Sequence, residues 1–301
     1  MVFKNELDKQ YYKILSDILS YGTLHEDPNR EGVKRMSIPK AEISLEYSGT
    51  DDLMRNFPLL TLKKTNFPKV VSELLWFLRG ETGLSFLHNH NNHIWDINQE
   101  QYYDRKEFAE KDSLGKVYGH QWRNFGGDLG KNNGIDQISL LIKKIRHNIH
   151  SSSLVVSSWN AKDIFNDELA LPPCHHSFQI MHKYVNGELG FVLSWNQRST
   201  DVFLGLPFNI ASYALLAILI SKTTGYPFFG LYGEPKNVHL YDNAITPAIN
   251  IVRKSTSYVL PTLDLPIFTN IETIEDTKLI SPNDFTLRNY KSGKYIRVKM
   301  L

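Results

Sequence analysis

Residues 202–221 form a run of 20 positions without a charged side chain. A helix of that length could cross a membrane. Four small or polar residues interrupt the run, however: Gly205, Pro207, Asn209 and Ser212. The flanks also lack the pattern of a membrane anchor. We therefore expect a helix buried in a protein core, entered through a Gly-Leu-Pro loop and ended by Gly225.

Length and composition allow a core of this kind. The chain has 301 residues, of which 42% are apolar and 22% charged, so it could form one large domain or two ordinary ones. A formal net charge of +2 argues against binding a nucleic acid, although a local phosphate site is compatible with it. One cysteine cannot form an internal disulfide, and the N-terminus lacks the apolar core of a signal peptide. We expect a cytoplasmic protein without a membrane partner.

Hydrophobic periodicity and turn residues predict the following elements. Helices are predicted over 5–20, 69–79 and 136–149, with Asp136 as a candidate N-cap of the last one. Short strands and turns are predicted over 37–62, and strands over 154–158, 176–185 and 188–197. Asn186-Gly187 between the last two strands is typical of a tight hairpin. The final residues, 285–301, are strand-like to the end. Without repeats or a clear linker, residues 1–301 are expected to form a single α+β domain, in which the charged stretch 98–115 is an exposed insertion.

The single cysteine lies in an unusual setting. Cys174 follows two prolines and precedes two histidines, and Arg198 and Asn209 come within about three dozen residues. A thiol becomes a nucleophile when a neighbouring cation lowers its pKa. Arg198 offers a planar fork for a phosphate, and Asn209 offers the donor and acceptor that would match the edge of a pyrimidine. His175 adjoins Cys174, but neighbours in a strand point to opposite faces, so adjacency does not establish a dyad.

Three further features have both a functional and an ordinary interpretation. Glu73 lies in the apolar helix 69–79, where burial would raise its pKa, unless it escapes to the helix rim. Arg30 lies in a basic loop near Gly32, which could wrap a phosphate or be a solvated connection. Residues 88–95 contain three histidines, but no cysteine or carboxylate cluster has matching ligand spacing, and Asn-rich runs are typical of turns. We therefore predict no metal site.

Several motifs together resemble one enzyme family. LPPCHHSFQ, QRSTDVFLGLPFNIASYALL and VHLY resemble the thymidylate synthase family, which includes the pyrimidine nucleotide hydroxymethylases. ELLWFLRGET, HIWD and VYGHQWR fit the same family upstream, so that the resemblance covers nearly the whole chain. It implies a large mixed β-sheet covered by helices, with one sheet face forming the interface of a homodimer.

The resemblance also implies roles for individual residues. Cys174 would add to C6 of dUMP, so that C5 can take a one-carbon unit from the cosubstrate 5,10-methylenetetrahydrofolate. Glu73 would organise water and proton transfer at O4 and the folate, while Tyr118 and His175 would belong to the water network that moves the C5 proton. The residues implied to bind the nucleotide are Arg30, Arg198, Ser199, Asn209, His239 and Tyr241, with Asn209 also counted among the catalytic residues. Those implied to bind the folate are Lys63 at its glutamate tail, Trp95, Asp201 at the pterin, and Gly205.

The chain departs from the family pattern at four places. Ser152 and Ser153 replace two arginines that reach across the dimer to the phosphate. Asn98 replaces a tryptophan that walls the folate pocket, and a wetter pocket would let water capture the transferred carbon. Lys236-Asn237 stands where a Gly-Asp pair is usual, and the tail ends in KML.

These departures leave three interpretations open. They are a thymidylate synthase, a dUMP hydroxymethylase that releases tetrahydrofolate, and a nucleotide-binding paralogue without turnover. The resemblance implies an aspartate at this position in the cytidylate hydroxymethylase branch, so the amide of Asn209 favours a uracil base in each interpretation.

Overall fold

The structure is a computed structural model, and it describes residues 2–28, 30–105, 112–267 and 269–299. The helices of this part of the chain are α1 (Glu6–Tyr21), α2 (Thr50–Arg55), α3 (Phe67–Leu78), α4 (Ser85–Asn89), α5 (Asp96–Arg105), α6 (Tyr118–Arg123), α7 (Gln137–His147), α8 (Ala161–Phe165), α9 (Gly205–Thr224), α10 (Asp242–Lys254) and α11 (Ile274–Lys278), with a 3-10 turn at Pro282–Asp284. Asn5 and Asp136 cap α1 and α7 with their side chains, and the cap at Asp136 confirms the sequence expectation.

The described strands form one large mixed sheet and a small hairpin-like pair. They are β1 (Thr23–Glu26), β2 (Lys34–Lys40), β3 (Ile43–Glu46), β4 (Val155–Ser157), β5 (His175–Val185), β6 (Glu188–Gln197), β7 (Thr200–Asp201), β8 (Phe228–Tyr241), β9 (Thr262–Asp264) and β10 (Thr286–Arg288). The main order is β1-β2-β8-β6-β5-β4, and β3 and β7 also pair with β8, while β9 and β10 pair with each other. The single-domain α+β prediction with a large mixed sheet is confirmed.

β8 is the central strand of this sheet. It runs parallel to β6 and β7 on one side and antiparallel to β2 and β3 on the other. β5 and β6 form the expected hairpin, in which Asn186 and Gly187 adopt φ of 50° and 84°. Both residue types tolerate this left-handed conformation, which a tight two-residue turn requires. The hairpin carries His175, with Cys174 and Arg198 directly beside its ends, and β8 carries His239 and Tyr241.

Helix α9 fills the core beside this sheet, as the charge-free run predicts. Its described surface is buried over most of its length, and Gly225 ends it with φ of 82°. Alternate residues of the hairpin, such as Phe178, Ile180, Leu193 and Trp195, are fully buried. α9 is long and apolar enough to span a membrane, yet 78% of its most apolar window is buried inside the protein. We therefore interpret α9 as a core helix. A cytoplasmic location of the protein stays a prediction.

The opposite face of the sheet is more exposed. It carries half-buried side chains that include Met181, Ser194, Asn196 and Tyr232. This is the face that the family resemblance assigns to a dimer interface, and that assignment stays a prediction.

Three details differ from the sequence predictions. Residues 50–55 form the short helix α2, and not a strand or turn; Gly49 precedes it without a side-chain cap, so the usual signal for a helix start is missing. The final strand ends at Arg288, because Asn289 takes φ of 62° and the following backbone bonds to Thr61 and Lys64. The stretch 98–115 is only partly exposed. Tyr102 and Leu114 are 5% and 0% exposed, whereas Glu100 and Gln101 are exposed, and 106–111 lies outside the described residues.

Candidate active site

Hydrogen bonds to Tyr118 and Arg198 hold the loop that carries Cys174. Cys174 immediately precedes β5, and its amide donates to Tyr118 Oη at 2.7 Å, while its carbonyl accepts from the Arg198 amide at 2.8 Å. The Arg198 guanidinium donates through Nε to the Pro173 carbonyl at 3.0 Å and through Nη2 to the Pro172 carbonyl at 2.8 Å. The two prolines and these four bonds fix the position of the thiol relative to Arg198.

Two cations act on the thiol of Cys174. Burial raises its pKa, while Arg198 and, more weakly, Arg30 lower it, and Asp201 raises it further. Arg30 is held at the end of β8 by a hydrogen bond from Nη1 to Tyr241 Oη, with its guanidinium 5.1 Å from the centre of the Tyr241 ring. The net effect is a raised pKa, and the two arginines limit the rise. Because a thiolate is the reactive form, their charge favours nucleophilic attack by this half-buried thiol.

A neutral histidine lies next to the thiol loop. The ring of His175 stacks on Tyr118 at 4.2 Å between centroids, and its Nδ1 is 2.9 Å from Tyr213 Oη. Burial, with a small effect of His176, lowers the pKa of His175 to about 3, so its imidazole is uncharged near neutral pH. It therefore cannot serve as the cationic partner of a thiolate. Instead, the neutral His175 ring stacks on Tyr118 and hydrogen-bonds to Tyr213.

The Glu73 carboxyl group lies inside the site, and not at the helix rim. It is half-buried on α3, and Trp95 Nε1 donates to its Oε1 at 2.8 Å. Burial raises the pKa of Glu73 to about 7, although the Trp95 bond opposes the shift. Trp95 meets Tyr118 edge-on at 6.1 Å, which joins Glu73 to the aromatic groups around Cys174. Near neutral pH both forms of the carboxyl are populated, as general acid–base catalysis requires.

The orientation of the Asn209 amide follows from a chain of donors. Trp195 Nε1 donates to Gln197 Oε1 at 3.2 Å, and since an indole N–H can only donate, the oxygen of Gln197 must face it. Gln197 Nε2 therefore points the other way and donates to Asn209 Oδ1 at 3.0 Å. Within the described residues, Asn209 Nδ2 makes no hydrogen bond. Its two donors and the second lone pair of Oδ1 remain for a ligand.

His239 and Tyr241 occupy the end of β8 next to Arg30. Their rings are 5.0 Å apart, and His239 Nδ1 lies 2.7 Å from the Asn237 carbonyl. Burial lowers the pKa of His239, which favours its neutral form. A neutral imidazole and a phenol beside an arginine are suited to hydrogen-bond a ligand that carries a hydroxyl group.

Asp201 and Lys63, two of the residues expected to meet the folate, lie close enough to interact electrostatically. Asp201 Oδ1 accepts from the amides of Phe203 and Leu204 at 2.8 and 3.1 Å, which shapes the turn into α9. Within the described residues Asp201 Oδ2 has no hydrogen bond, so it can accept from a ligand N–H. Lys63 is 6% exposed, and burial lowers its pKa to about 8 although Asp201 opposes the shift.

Known proteins resemble this chain over nearly its whole length. Residues 9–301 match the thymidylate synthase family. The chain belongs to the thymidylate synthase family. It is 36% identical over 298 residues to a probable thymidylate synthase of Escherichia phage T5, which covers 97% of this chain and 99% of that protein. Because both proteins are covered almost completely, the relationship includes the whole domain and not a single motif.

The two residues that replace the family's arginines lie on the surface. Ser152 and Ser153 are exposed, and Ser151 and Ser153 hydrogen-bond to each other at 2.9 Å. Near Arg198 the family's usual Gly-Asp pair is replaced by Lys236 and Asn237. Asn237 Nδ2 donates to Ser199 Oγ at 3.4 Å, so this departure borders a predicted phosphate-binding residue.

His176 and Lys236 are two basic side chains near Arg198, which directly follows β6. The Arg198 guanidinium lies 5.6 Å from the Trp159 ring, and Trp159 meets His176 edge-on at 6.4 Å. Burial lowers the pKa of His176, and the positive charges of Lys236 and Arg198 lower it further. His176 and Lys236 were not recognised from the sequence as site residues, because their positions depend on the pairing of β5, β6 and β8.

Gln197, Trp195 and Tyr213 are also site residues that sequence reasoning missed. Each acts on a predicted residue, Gln197 and Trp195 on Asn209 and Tyr213 on His175. Gln197 could have been suspected, because it directly precedes Arg198 in the long family motif. A cavity of about 330 Å³ elsewhere, lined by Gly80, Arg123 and Lys131 among others, includes none of these residues.

Proposed function

We propose that this protein transfers a one-carbon unit to C5 of dUMP and releases dTMP and dihydrofolate. The observation that supports this most is a half-buried thiol near two arginines, together with a carboxyl of pKa about 7, since thiol and carboxyl both act on Tyr118. The folate, 5,10-methylenetetrahydrofolate, supplies the carbon unit and, in the methylating reaction, the hydride.

Cys174 begins the reaction in this proposal. Its thiolate adds through Sγ to C6 of the uracil ring, and the ring electrons move to C5 and O4. Glu73 acts through ordered water. It donates a proton towards O4 when negative charge develops there, and it accepts a proton when that charge is lost. C5 would form a bond to the one-carbon unit as that carbon's bonds to the folate nitrogens break, and the Tyr118–His175 pair carries the proton that leaves C5. A hydride from the folate, which becomes dihydrofolate, would complete the methyl group, and Sγ leaves C6 as a thiolate, which restores the ring.

Asn209 recognises the base. An amide can donate from Nδ2 to O4 of uracil and accept the N3 proton at Oδ1, and Gln197 holds the amide in one orientation. His239 and Tyr241 bind the ribose hydroxyl in the same proposal.

Arg30, Arg198 and Ser199 bind the phosphate, and Lys236 contributes the positive charge that Ser152 and Ser153 lack. The support for Lys236 is its electrostatic effect on His176, which borders Arg198. Charge-assisted hydrogen bonds of this kind are worth about 1.5–3 kcal/mol each. Replacement of Lys236 by alanine should therefore raise KM for dUMP by at least about tenfold.

The folate site fits the donors that are present. Asp201 Oδ2 and Asn209 border the start of α9, and a side-chain carbon at Gly205 would reach within 3.8 Å of Asn209 Oδ1. Gly205 is half-exposed, and its missing side chain leaves this small volume beside Asn209 and Asp201 unfilled. We assign Asp201 to the pterin, Trp95 and Gly205 to the pocket wall, and Lys63 to the folate carboxylates.

One observation favours hydroxymethylation as a second candidate. Asn98 lies in the first turn of α5, three residues after Trp95, and is half-buried. Its amide stands where the family usually has a tryptophan, whose aromatic side chain would exclude water. Water attack on the transferred carbon would give 5-hydroxymethyl-dUMP and tetrahydrofolate. Trp95, which remains packed near Glu73 and Tyr118, supports the methylating reaction instead.

Product analysis distinguishes these reactions. The protein is incubated with dUMP and 5,10-methylenetetrahydrofolate, and nucleotide mass and dihydrofolate are recorded together. Equal amounts of dTMP and dihydrofolate are expected. A hydroxymethyl product without dihydrofolate would support the second candidate, and no release of hydrogen from C5 at saturating substrate would support a nucleotide-binding paralogue.

We further propose that the protein is a homodimer through the half-exposed sheet face. The support is family membership together with the polar and apolar side chains that this face leaves uncovered. Analytical ultracentrifugation should give twice the chain mass of 34.7 kDa.

A further inference from the structure

The turn between α4 and α5 brings two histidines onto one carboxylate. His88 Nε2 lies 2.8 Å from Asp96 Oδ1, and His93 Nδ1 lies 2.9 Å from Asp96 Oδ2. The two imidazole rings stack at 4.8 Å between centroids, and the three candidate ligand atoms all lie within 4.8 Å of one another. The side chains are 41%, 52% and 37% exposed, so a solvated ion can reach them.

We propose that His88, His93 and Asp96 form a binding site for a divalent transition-metal ion. Two imidazole nitrogens and one carboxylate oxygen are a common protein contribution to a zinc site with an open position for water. Zn–N and Zn–O distances of about 2.0–2.2 Å place neighbouring ligand atoms of a tetrahedral site about 3.3 Å apart. Small side-chain rotations would bring these three atoms to that separation. The sequence prediction of no metal depended on a missing carboxylate, and Asp96, directly after the histidine run, supplies it.

The backbone that carries these ligands is anchored. Asn92, which is 1% exposed, donates from Nδ2 to Ser72 Oγ at 2.9 Å and to the Lys69 carbonyl at 3.1 Å. Asp96 is the first residue of α5, and His88 lies within α4. The ligands therefore start from fixed backbone positions, which limits the ordering that binding must impose.

The chemistry of the ligands selects the kind of metal. Imidazole suits Zn²⁺, Co²⁺, Ni²⁺ and Cu²⁺, whereas Mg²⁺ and Ca²⁺ prefer an all-oxygen set. Protons compete for the same nitrogens, so binding weakens as pH falls. The site is separate from the thiol chemistry, although Asp96 follows Trp95, whose indole holds Glu73.

A direct titration tests this site. The full chain carrying Cys174→Ser, which removes the thiol as a competing ligand, is titrated with Co²⁺ while its visible absorption is followed, and then with Zn²⁺ by calorimetry. One equivalent of each is expected to bind, with a rise in Tm, and Mg²⁺ should not compete. His88→Gln and His93→Gln should each weaken binding by more than about 100-fold, because loss of a ligand exceeds the effect of losing a supporting bond.

Two matched controls separate this site from other histidines. His90→Gln changes the neighbouring histidine, whose Nδ1 faces the Phe86 carbonyl, and should leave binding unchanged. His150→Gln changes a histidine whose ring lies 4.6 Å from that of His182, and should also have no effect. Undiminished binding in folded His93→Gln and His88→Gln, or no saturable binding of Co²⁺ or Zn²⁺ to the parent protein, would overturn the proposal.

Discussion

Replacement of Glu73 by glutamine removes a carboxyl group whose pKa burial raises from 4.5 to about 7. The raised pKa means that the folded protein binds a proton more tightly than the unfolded chain does. This carboxyl therefore stabilises the fold most below pH 4.5, and its contribution is lost as the pH rises through 7. Glutamine keeps an oxygen for the Trp95 N–H and carries no charge at any pH, so it isolates this effect.

The expected size follows from the shift in pKa. At about 1.4 kcal/mol for each pKa unit, a rise from 4.5 to about 7 corresponds to about 3 kcal/mol above neutral pH. For a chain of 301 residues this is a Tm difference of about 5 °C. Glu73→Gln should be more stable than the parent at about pH 8.5 and nearly equal to it at about pH 4.5, while its catalytic activity falls sharply.

Scanning calorimetry across this pH range measures the difference. Glu188→Gln, at the exposed start of β6, is the control and should show no comparable rise. A Tm difference between Glu73→Gln and the parent that stays constant across the range would refute the reasoning, because it would show that the Glu73 carboxyl is not held protonated by burial. An active Glu73→Gln enzyme would separately refute the proton-transfer role.

Three other changes test the remaining parts of the site. Cys174→Ala should abolish release of tritium from C5 of labelled dUMP and leave nucleotide binding, measured by calorimetry, almost unchanged; continued release would exclude Cys174 as the nucleophile. Gln197→Leu should lower kcat/KM for dUMP by about fivefold to tenfold, because it removes the hydrogen bond that orients the Asn209 amide. Unchanged kcat and KM in steady-state assays would contradict this role of Gln197. Lys63, with a pKa of about 8, should lose its charge as pH rises past that value, so KM for the folate should rise between about pH 7 and 9. In Lys63→Gln that rise should disappear, and a retained rise would assign it to another group.

Features governed by local sequence were predicted well. The Asn186-Gly187 hairpin, the buried helix closed by Gly225 and the Asp136 cap each depend on a few neighbouring residues. Helix α2 was missed because its start lacks a side-chain cap, and the end of the last strand was wrong because Asn289 adopts a left-handed conformation that asparagine tolerates but does not require.

Long-range pairing sets the part of the site that could not be predicted. Trp95 and Glu73 are 22 residues apart and meet through the packing of α3 against the turn before α5. The Trp195–Gln197–Asn209 chain depends on how β6 ends beside α9. Neither distance can be read from spacing, although the resemblance to a family pointed to Glu73, Trp95 and Asn209 individually.

β8 pairs with four other strands and ends at His239 and Tyr241, so one strand connects the nucleotide side of the site to the whole sheet. Its amides should be among the slowest in the protein to exchange with deuterium, because they open only when the sheet does. Activity and fold should then fail together on heating. A partly unfolded form that still binds nucleotide is not expected, and thermal inactivation becomes a direct measure of how long the native sheet survives.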